Sequence, residues 1–138
     1  PLFGLTAQWS PDGTRVLTSA TNASGENLQL AAREAGGKAL FTVSLSTLPE
    51  KCVWLSNAEI ICATPRIPPQ GVLWPDEYYR GELNTQDRIL SLNLQTKEAR
   101  EILNEGNFDM SNISVSEDRA YLVFINRNDG TLWSLKLK

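Results

Sequence analysis

"QWSPDGTRVLTSA", Gln8 to Ala20, runs extended to Trp9, turns through Ser10-Pro11-Asp12-Gly13 and resumes with alternating apolar residues. Pro11 suits the second turn position because its φ is already set, and Gly13 supplies the positive φ that closes the loop. Asp12 has the short side chain that accepts hydrogen bonds from nearby backbone amides, so it reads as a structural turn residue. The stretch is complete as a hairpin. It decides the fold only if it is one rung of a repeat, because a lone hairpin leaves the chain an unspecified β domain.

The same grammar returns twice, around Trp54 to Ile61 and around Ser114 to Leu122. After each rung comes a strand with period-two alternation, at Asn27 to Glu34, Asp87 to Leu94 and Thr131 to Lys138. After the first two comes a fourth, at Ala39 to Leu45 and Glu98 to Leu103. The connections are turn material, such as Asn22-Ala23-Ser24-Gly25 and Asn128-Asp129-Gly130, so the strands form antiparallel meanders. Four strands per unit, recurring at about 45 to 60 residues, is the blade of a β-propeller. The expected fold is all-β, one partial propeller domain over 1–138, with blades at approximately 5–48, 49–106 and 107–138. The last of these lacks its outer strand.

The Trp9-Ser10-Pro11-Asp12-Gly13-x-x-Val16-Leu17 run resembles the repeat of TolB-type, WD-like β-propellers, a repeat also used by the propeller domains of prolyl-oligopeptidase relatives. The likeness extends over nearly the whole chain, with departures: the second copy lacks the Pro-Asp-Gly turn and the third has Glu117-Asp118-Arg119 in its place. The resemblance implies a binding or scaffolding module, not a self-sufficient catalyst.

Three blades do not close a ring, since propellers typically have four to eight. The chain is therefore expected either to be a piece of a longer propeller or to pair with a second copy. Open strand edges and uncovered blade faces favour the pair, a six-blade ring of two chains, over a stable three-blade monomer.

With 138 residues, 41% hydrophobic and 21% charged, the chain can bury a core of its own. A net charge of −3 with mixed signs spread along the chain gives no basic stripe for phosphates, so nucleic acid is not an expected partner. No apolar run approaches the roughly 20 residues of a membrane helix, and PLFGLTAQ is not a leader, so any signal or anchor is expected outside this stretch.

The sequence contains no His, the commonest general base and metal ligand, and no Gly-x-Ser-x-Gly elbow. No catalytic residue, metal site or cofactor is assigned. Asp12, Asp118 and Asp129 read as turn residues.

Cys52 and Cys62 flank a turn near Ser56 to Glu59 on facing strands. A register centred between Asn57 and Ala58 places Cys62 opposite Val53, and a shift of one residue places it opposite Cys52, where a disulfide is possible. A bridge and two buried thiols stand as alternatives. A bridge would indicate an extracytoplasmic or surface protein, and its absence leaves a cytoplasmic one open.

Pro65 to Gln86, "PRIPPQGVLWPDEYYRGELNTQ", interrupts the second blade where the others use short turns. It is longer than ordinary loops. Trp74, Asp76, Tyr78, Tyr79 and Arg80 are its candidate binding residues, placed by propeller topology at one mouth of the channel. The aromatics either fold back to cover the blade, the slightly favoured reading, or meet a ligand. The leading functional expectation is a non-catalytic module that binds a protein, peptide or surface polymer within a larger extracytoplasmic protein. The alternative is a fragment that gates substrate access in a prolyl-oligopeptidase-like serine peptidase.

Overall fold

The computed structural model describes residues 1–43 and 45–137, so Ser44 and Lys138, at or near the ends of two expected strands, lie outside the described residues. The chain is all-β with antiparallel sheets, none closed into a barrel. Sheet one runs β1 (Phe3–Trp9), β2 (Arg15–Thr21), β3 (Gln29–Glu34) and β4 (Ala39–Val43), in sequence order. Sheet two repeats this with β5 (Cys52–Trp54), β6 (Glu59–Pro65), β7 (Asp87–Asn93) and β8 (Ala99–Leu103). Sheet three holds β9 (Met110–Val115), β10 (Tyr121–Asn126) and β11 (Thr131–Lys136). These are the three meanders expected, with ends trimmed by a residue or two. A short 3₁₀ turn at Pro49–Lys51 leads into sheet two.

The turn at Ser10 to Gly13 closes as its residues require. The Gly13 amide donates to the Ser10 carbonyl at 3.0 Å, and Gly13 has φ +72°. One carboxylate oxygen of Asp12 accepts from the Thr14 amide at 2.9 Å and from the Ser10 and Thr14 hydroxyls, both at 2.8 Å. Those bonds hold the Asp12 carboxyl below its ordinary range. Asp118 and Asp129 also serve as turn acceptors, taking hydrogen bonds from the Ala120 and Thr131 amides, both at 3.0 Å.

The sheets stack face to face, and the alternation along β6 shows how. Ile60 and Cys62 point to one side and join Leu17, Leu30, Ala32 and Val43 of sheet one. Ile61 and Ala63 point to the other and join Met110, Ile113, Leu122 and Phe124 of sheet three. Both faces of sheet two are thus covered, which is why β6 carries four consecutive apolar residues, Ile60 to Ala63, where a half-buried strand would alternate. Each fully buried Ile or Leu contributes about 1.5–3 kcal/mol relative to exposure. The outward faces of sheets one and three have no cover among the described residues. There Trp9 is 57% exposed and Leu132 72% exposed.

Because successive strands reverse, the connections segregate to the two ends of the stack. One end carries the tight turns: the Asp12 amide donates to Asn57 Oδ1 at 3.2 Å and Arg15 donates to the Asn57 carbonyl at 2.8 Å, tying sheets one and two together. The other end gathers the β2–β3, β4–β5, β6–β7, β8–β9 and β10–β11 connections. No helix among the described residues is long and apolar enough to cross a membrane.

Candidate functional site

The long connection begins one residue later than the sequence suggests. Pro65 still pairs with Asp87 in the ladder, and Arg66 donates its amide to the Gln86 carbonyl at 2.9 Å, so the excursion proper is 66–86. Proline can close a strand in this way because the loss of one donor costs least at its end. The segment then folds back over the stack. Val72, Trp74 and Tyr78 pack with Leu28 and Leu48, drawing together the β2–β3 connection and the approach to sheet two. The Trp74 amide donates to the Gly25 carbonyl at 2.8 Å. The Trp74–Pro75 peptide is cis and leads into a single helical turn, α1 (Asp76–Tyr79).

Gly4 makes this seat possible. It has φ +56°, and a Cβ there would lie 2.8 Å from the Trp74 carbonyl oxygen and 3.1 Å from Pro75 Cδ. Any side chain would strain the backbone and push the segment off β1.

The five residues expected to bind do not share one surface. Trp74 and Tyr78 are buried, with rings stacked at a centroid distance of 6.2 Å. Asp76, Tyr79 and Arg80 face outward. Tyr79 is 55% exposed, and partial burial together with a hydrogen bond to Glu50 raises its hydroxyl above the ordinary range. Arg80 makes a two-pronged pair with Glu82, at 2.9 and 3.0 Å, which fixes its guanidinium within the loop. Leu73 and Ile67 add exposed apolar surface to the same segment.

Beneath the segment lies a buried charge cluster that the sequence reading does not identify. Lys51 Nζ sits 2.6 Å from Asp87 Oδ2 and 2.9 Å from Asp109 Oδ1, with the Lys51 side chain 2% exposed and both carboxylates at 0%. It also donates to Thr85 Oγ1 at 3.0 Å. Asp109 accepts a second cation, Arg127 Nη1, at 3.0 Å, and Arg127 Nη2 donates to the Tyr78 carbonyl at 2.9 Å. The Arg127 guanidinium lies 3.8 Å from the centre of the Tyr78 ring and Lys51 Nζ 5.4 Å from it, so the ring rests on two cations. Two lysine or arginine charges balance two carboxylates, as burial demands.

Burial pushes the Asp87 carboxyl above its ordinary value, opposed by Lys51, the Met110 amide at 2.8 Å and the Thr85 hydroxyl at 2.8 Å. Burial likewise raises the Tyr78 hydroxyl, against the lowering effect of Arg127. Every charged group of the cluster is engaged by another. The arrangement therefore positions the 66–86 segment and leaves no free base or nucleophile. The sequence signal for it is faint: three charges on three connections and a fourth, Asp87, at the start of β7, far apart along the chain.

Cys52 and Cys62 stand directly opposite, with Cα atoms 4.0 Å apart, and are joined as a disulfide. The ladder pairs Val53 with Ile61 and Trp54 with Ile60, so the hairpin is centred on Asn57. This is the shifted of the two registers considered. Among the described residues no three His, Cys, Asp or Glu side chains are grouped to hold a metal ion.

No protein-family model matches the chain, and no curated protein matches it in sequence. Among solved structures it is similar to "Kuenenia stuttgartiensis Hydrazine Synthase", with a TM-score of 0.53 and 12% identity over 95% of this chain. The match takes in 39% of that protein's chain, so the segment spans well under half of its structural neighbour's length. At this identity the likeness is one of fold alone: an all-β stack of antiparallel meanders.

Proposed function

We propose that the chain is a non-catalytic β-propeller binding module, made of three blades, that holds a protein, peptide or surface polymer at the end covered by 66–86. The observation that carries this reading is the construction of that segment. Its underside is fixed by Trp74, Tyr78 and the Lys51–Asp87–Asp109–Arg127 cluster, while Ile67, Leu73 and Tyr79 project outward. Exposed apolar and aromatic side chains on a rigid support lose little freedom on binding, which is how contact surfaces gain affinity. A loop serving only as cover would turn those side chains inward.

The consecutive strand order and face-to-face stacking support reading each sheet as a blade. Exposed Trp9 on sheet one and Tyr121 and Leu132 on sheet three support a further neighbour on each outer face, supplied by a second chain in a six-blade ring or by more of a longer propeller. The Cys52–Cys62 bridge supports an extracytoplasmic setting, where disulfides persist.

The test is binding of the purified chain to arrayed peptides and cell-surface polysaccharides, compared with a Leu73→Ser/Tyr79→Ser variant. Retention by the parent and loss by the variant, at an unchanged melting temperature, is the expected result. Equal retention by both removes the loop from the binding surface, and turnover of a peptide or ester abolished by one substitution overturns the non-catalytic reading. Light scattering at rising concentration reports on the two-chain ring.

A further inference from the structure

The β2–β3 connection is a turn that fixes its own backbone beside the long segment. Asn22 Oδ1 accepts from the Ser24 amide at 2.9 Å and the Glu26 amide at 3.0 Å, and the Asn22 amide donates to the Glu26 carbonyl at 2.9 Å. Both backbone groups of Glu26 are therefore held. A pocket of about 80 Å³ opens where this turn meets the β4–β5 and β6–β7 connections. The turn and the approach to sheet two contribute Glu26, Asn27 and Ser46 to it, and the long segment contributes Pro68, Pro69, Val72 and Trp74. The hydrogen bond from the Trp74 amide to the Gly25 carbonyl ties the two stretches together, so the pocket is formed before anything binds. Leu73 lies at its rim: it is 46% exposed, and a Cβ on Gly25 would come within 3.3 Å of Leu73 Cδ2.

The pocket holds one carboxylate and no cation. Among the described residues the Glu26 carboxylate, the Asn27 amide group and the Ser46 hydroxyl have no hydrogen-bond or ion-pair partner. The wider field has the same sign. The five connections gathered at this end carry eight Asp and Glu against four Lys and Arg, a net −4, while the chain as a whole is −3, which leaves +1 for everything else. All four cations are already engaged: Lys51 and Arg127 by the buried carboxylates, Arg80 by Glu82 and Arg66 by the Gly106 carbonyl.

We infer that the pocket takes an arginine side chain of a bound peptide, with an apolar neighbour of that arginine resting on Leu73. A guanidinium matches a carboxylate with two parallel hydrogen bonds and has further donors for the Ser46 and Asn27 oxygens. Its alkyl stem can lie along the proline rings, and the small volume admits a flat charged head better than a large aromatic ring. The excess of carboxylates at this end steers such a peptide toward the pocket. The inference rests on the reading of 66–86 as a binding surface and names the chemistry of what it binds.

The experiment uses an array of short peptides, each with a central arginine between varied neighbours and each paired with a twin in which citrulline replaces the arginine. Citrulline keeps the shape and removes the charge. The parent should retain its best arginine peptides at least about tenfold more tightly than their twins, and Glu26→Gln should erase that difference. The Glu26 side chain makes no bond within the fold, so the variant is expected to keep the parent's melting temperature. Glu105→Gln, which removes a carboxylate at the same end but outside the pocket, should keep the preference. Equal retention of the twins, a preference that survives in Glu26→Gln, or an equal loss in Glu105→Gln overturns the inference. An amine-bearing polysaccharide retained above every peptide does so too, by assigning the pocket to a polymer. Peptides retained without regard to arginine overturn this inference alone and leave the binding-module reading standing, whereas retention of no peptide and no polysaccharide removes both.

Discussion

Replacing Lys51 by Met removes the cation from between two buried carboxylates while keeping most of its volume. Asp109 retains Arg127 at 3.0 Å, but Asp87 loses its closest partner, at 2.6 Å, and has no second cation. Breaking a buried pair by removing one member costs about 3–5 kcal/mol, because the remaining charge stays desolvated. The structure also sets a ceiling, since Asp87 can escape by taking a proton. From its ordinary value of 3.8 up to pH 7, at about 1.4 kcal/mol per unit, that protonation costs roughly 4 kcal/mol. At pH 4.5 the same escape costs only about 1 kcal/mol.

The sign follows from the direction of the shift. The folded Asp87 carboxyl already lies above 3.8, so its contribution to stability is fully present below that value and is lost as the pH rises through the folded value. Lys51 limits this loss, and without it the folded value climbs further. The penalty of Lys51→Met is therefore expected to be about 3–4 kcal/mol at pH 7 and to shrink toward about 1 kcal/mol near pH 4.5. Urea unfolding followed by tryptophan fluorescence, with parent and variant compared at each pH, measures it. With a slope of about 2 kcal/mol per molar, the pH 7 midpoint should fall by roughly 1.5–2 M. Lys51→Met/Asp87→Asn, which restores neutrality and keeps an acceptor for the Met110 amide, should recover most of the loss at pH 7. A penalty that does not change between pH 4.5 and 7 refutes the electrostatic reasoning and leaves only lost packing.

Cys52→Ser/Cys62→Ser opens a loop with a sequence separation of 10 and should cost about 2.5–3 kcal/mol on the chain-entropy account, with non-reducing peptide mapping of the parent recovering the bridged pair. Gly4→Ala places a Cβ 2.8 Å from the Trp74 carbonyl at φ +56° and should destabilise by about 1–3 kcal/mol, with faster amide exchange in 66–86 as the local sign. Trp74→Ala should cost about 3–5 kcal/mol while Tyr79→Ala, at a residue 55% exposed, should cost less than about 1 kcal/mol, and thermal melts distinguish them.

The elements legible in the sequence are those fixed by neighbours a few residues away. Ser10 to Gly13 states its turn in its own side chains, and period-two alternation marks β7 and β11 without reference to the rest of the chain. The cysteine register was legible only to within one residue because β5 is three residues long and offers little pattern to set against β6. The amide of Leu55 donates to the Glu59 carbonyl at 2.9 Å, and this closure centres the hairpin on Asn57. Among the loop aromatics, nothing local separates Trp74 and Tyr78, which are buried, from Tyr79, which is not. That division depends on Leu28, Leu48 and Arg127, which arrive from three other connections.

The charge cluster was illegible for the same reason, and its position shows why an apolar core could not replace it. Lys51 comes from the β4–β5 connection, Thr85 and Tyr78 from β6–β7, Asp109 from β8–β9 and Arg127 follows β10. At that end of the stack the strands stop, and their terminal amides and carbonyls need partners. Asp87 accepts from the Met110 amide, Asp109 from the Thr85 amide at 3.3 Å, and Arg127 supplies the Tyr78 carbonyl. Leucines of equal volume would fill the space and abolish the cost of burying charge, yet they would orphan the Met110 and Thr85 amides at about 1–3 kcal/mol each, while the Tyr78 carbonyl would keep the Gly81 amide at 3.1 Å. The cluster thus does what a continuing ladder would do elsewhere in the sheets. It satisfies the backbone where four connections meet, and in doing so permits only one seating of 66–86.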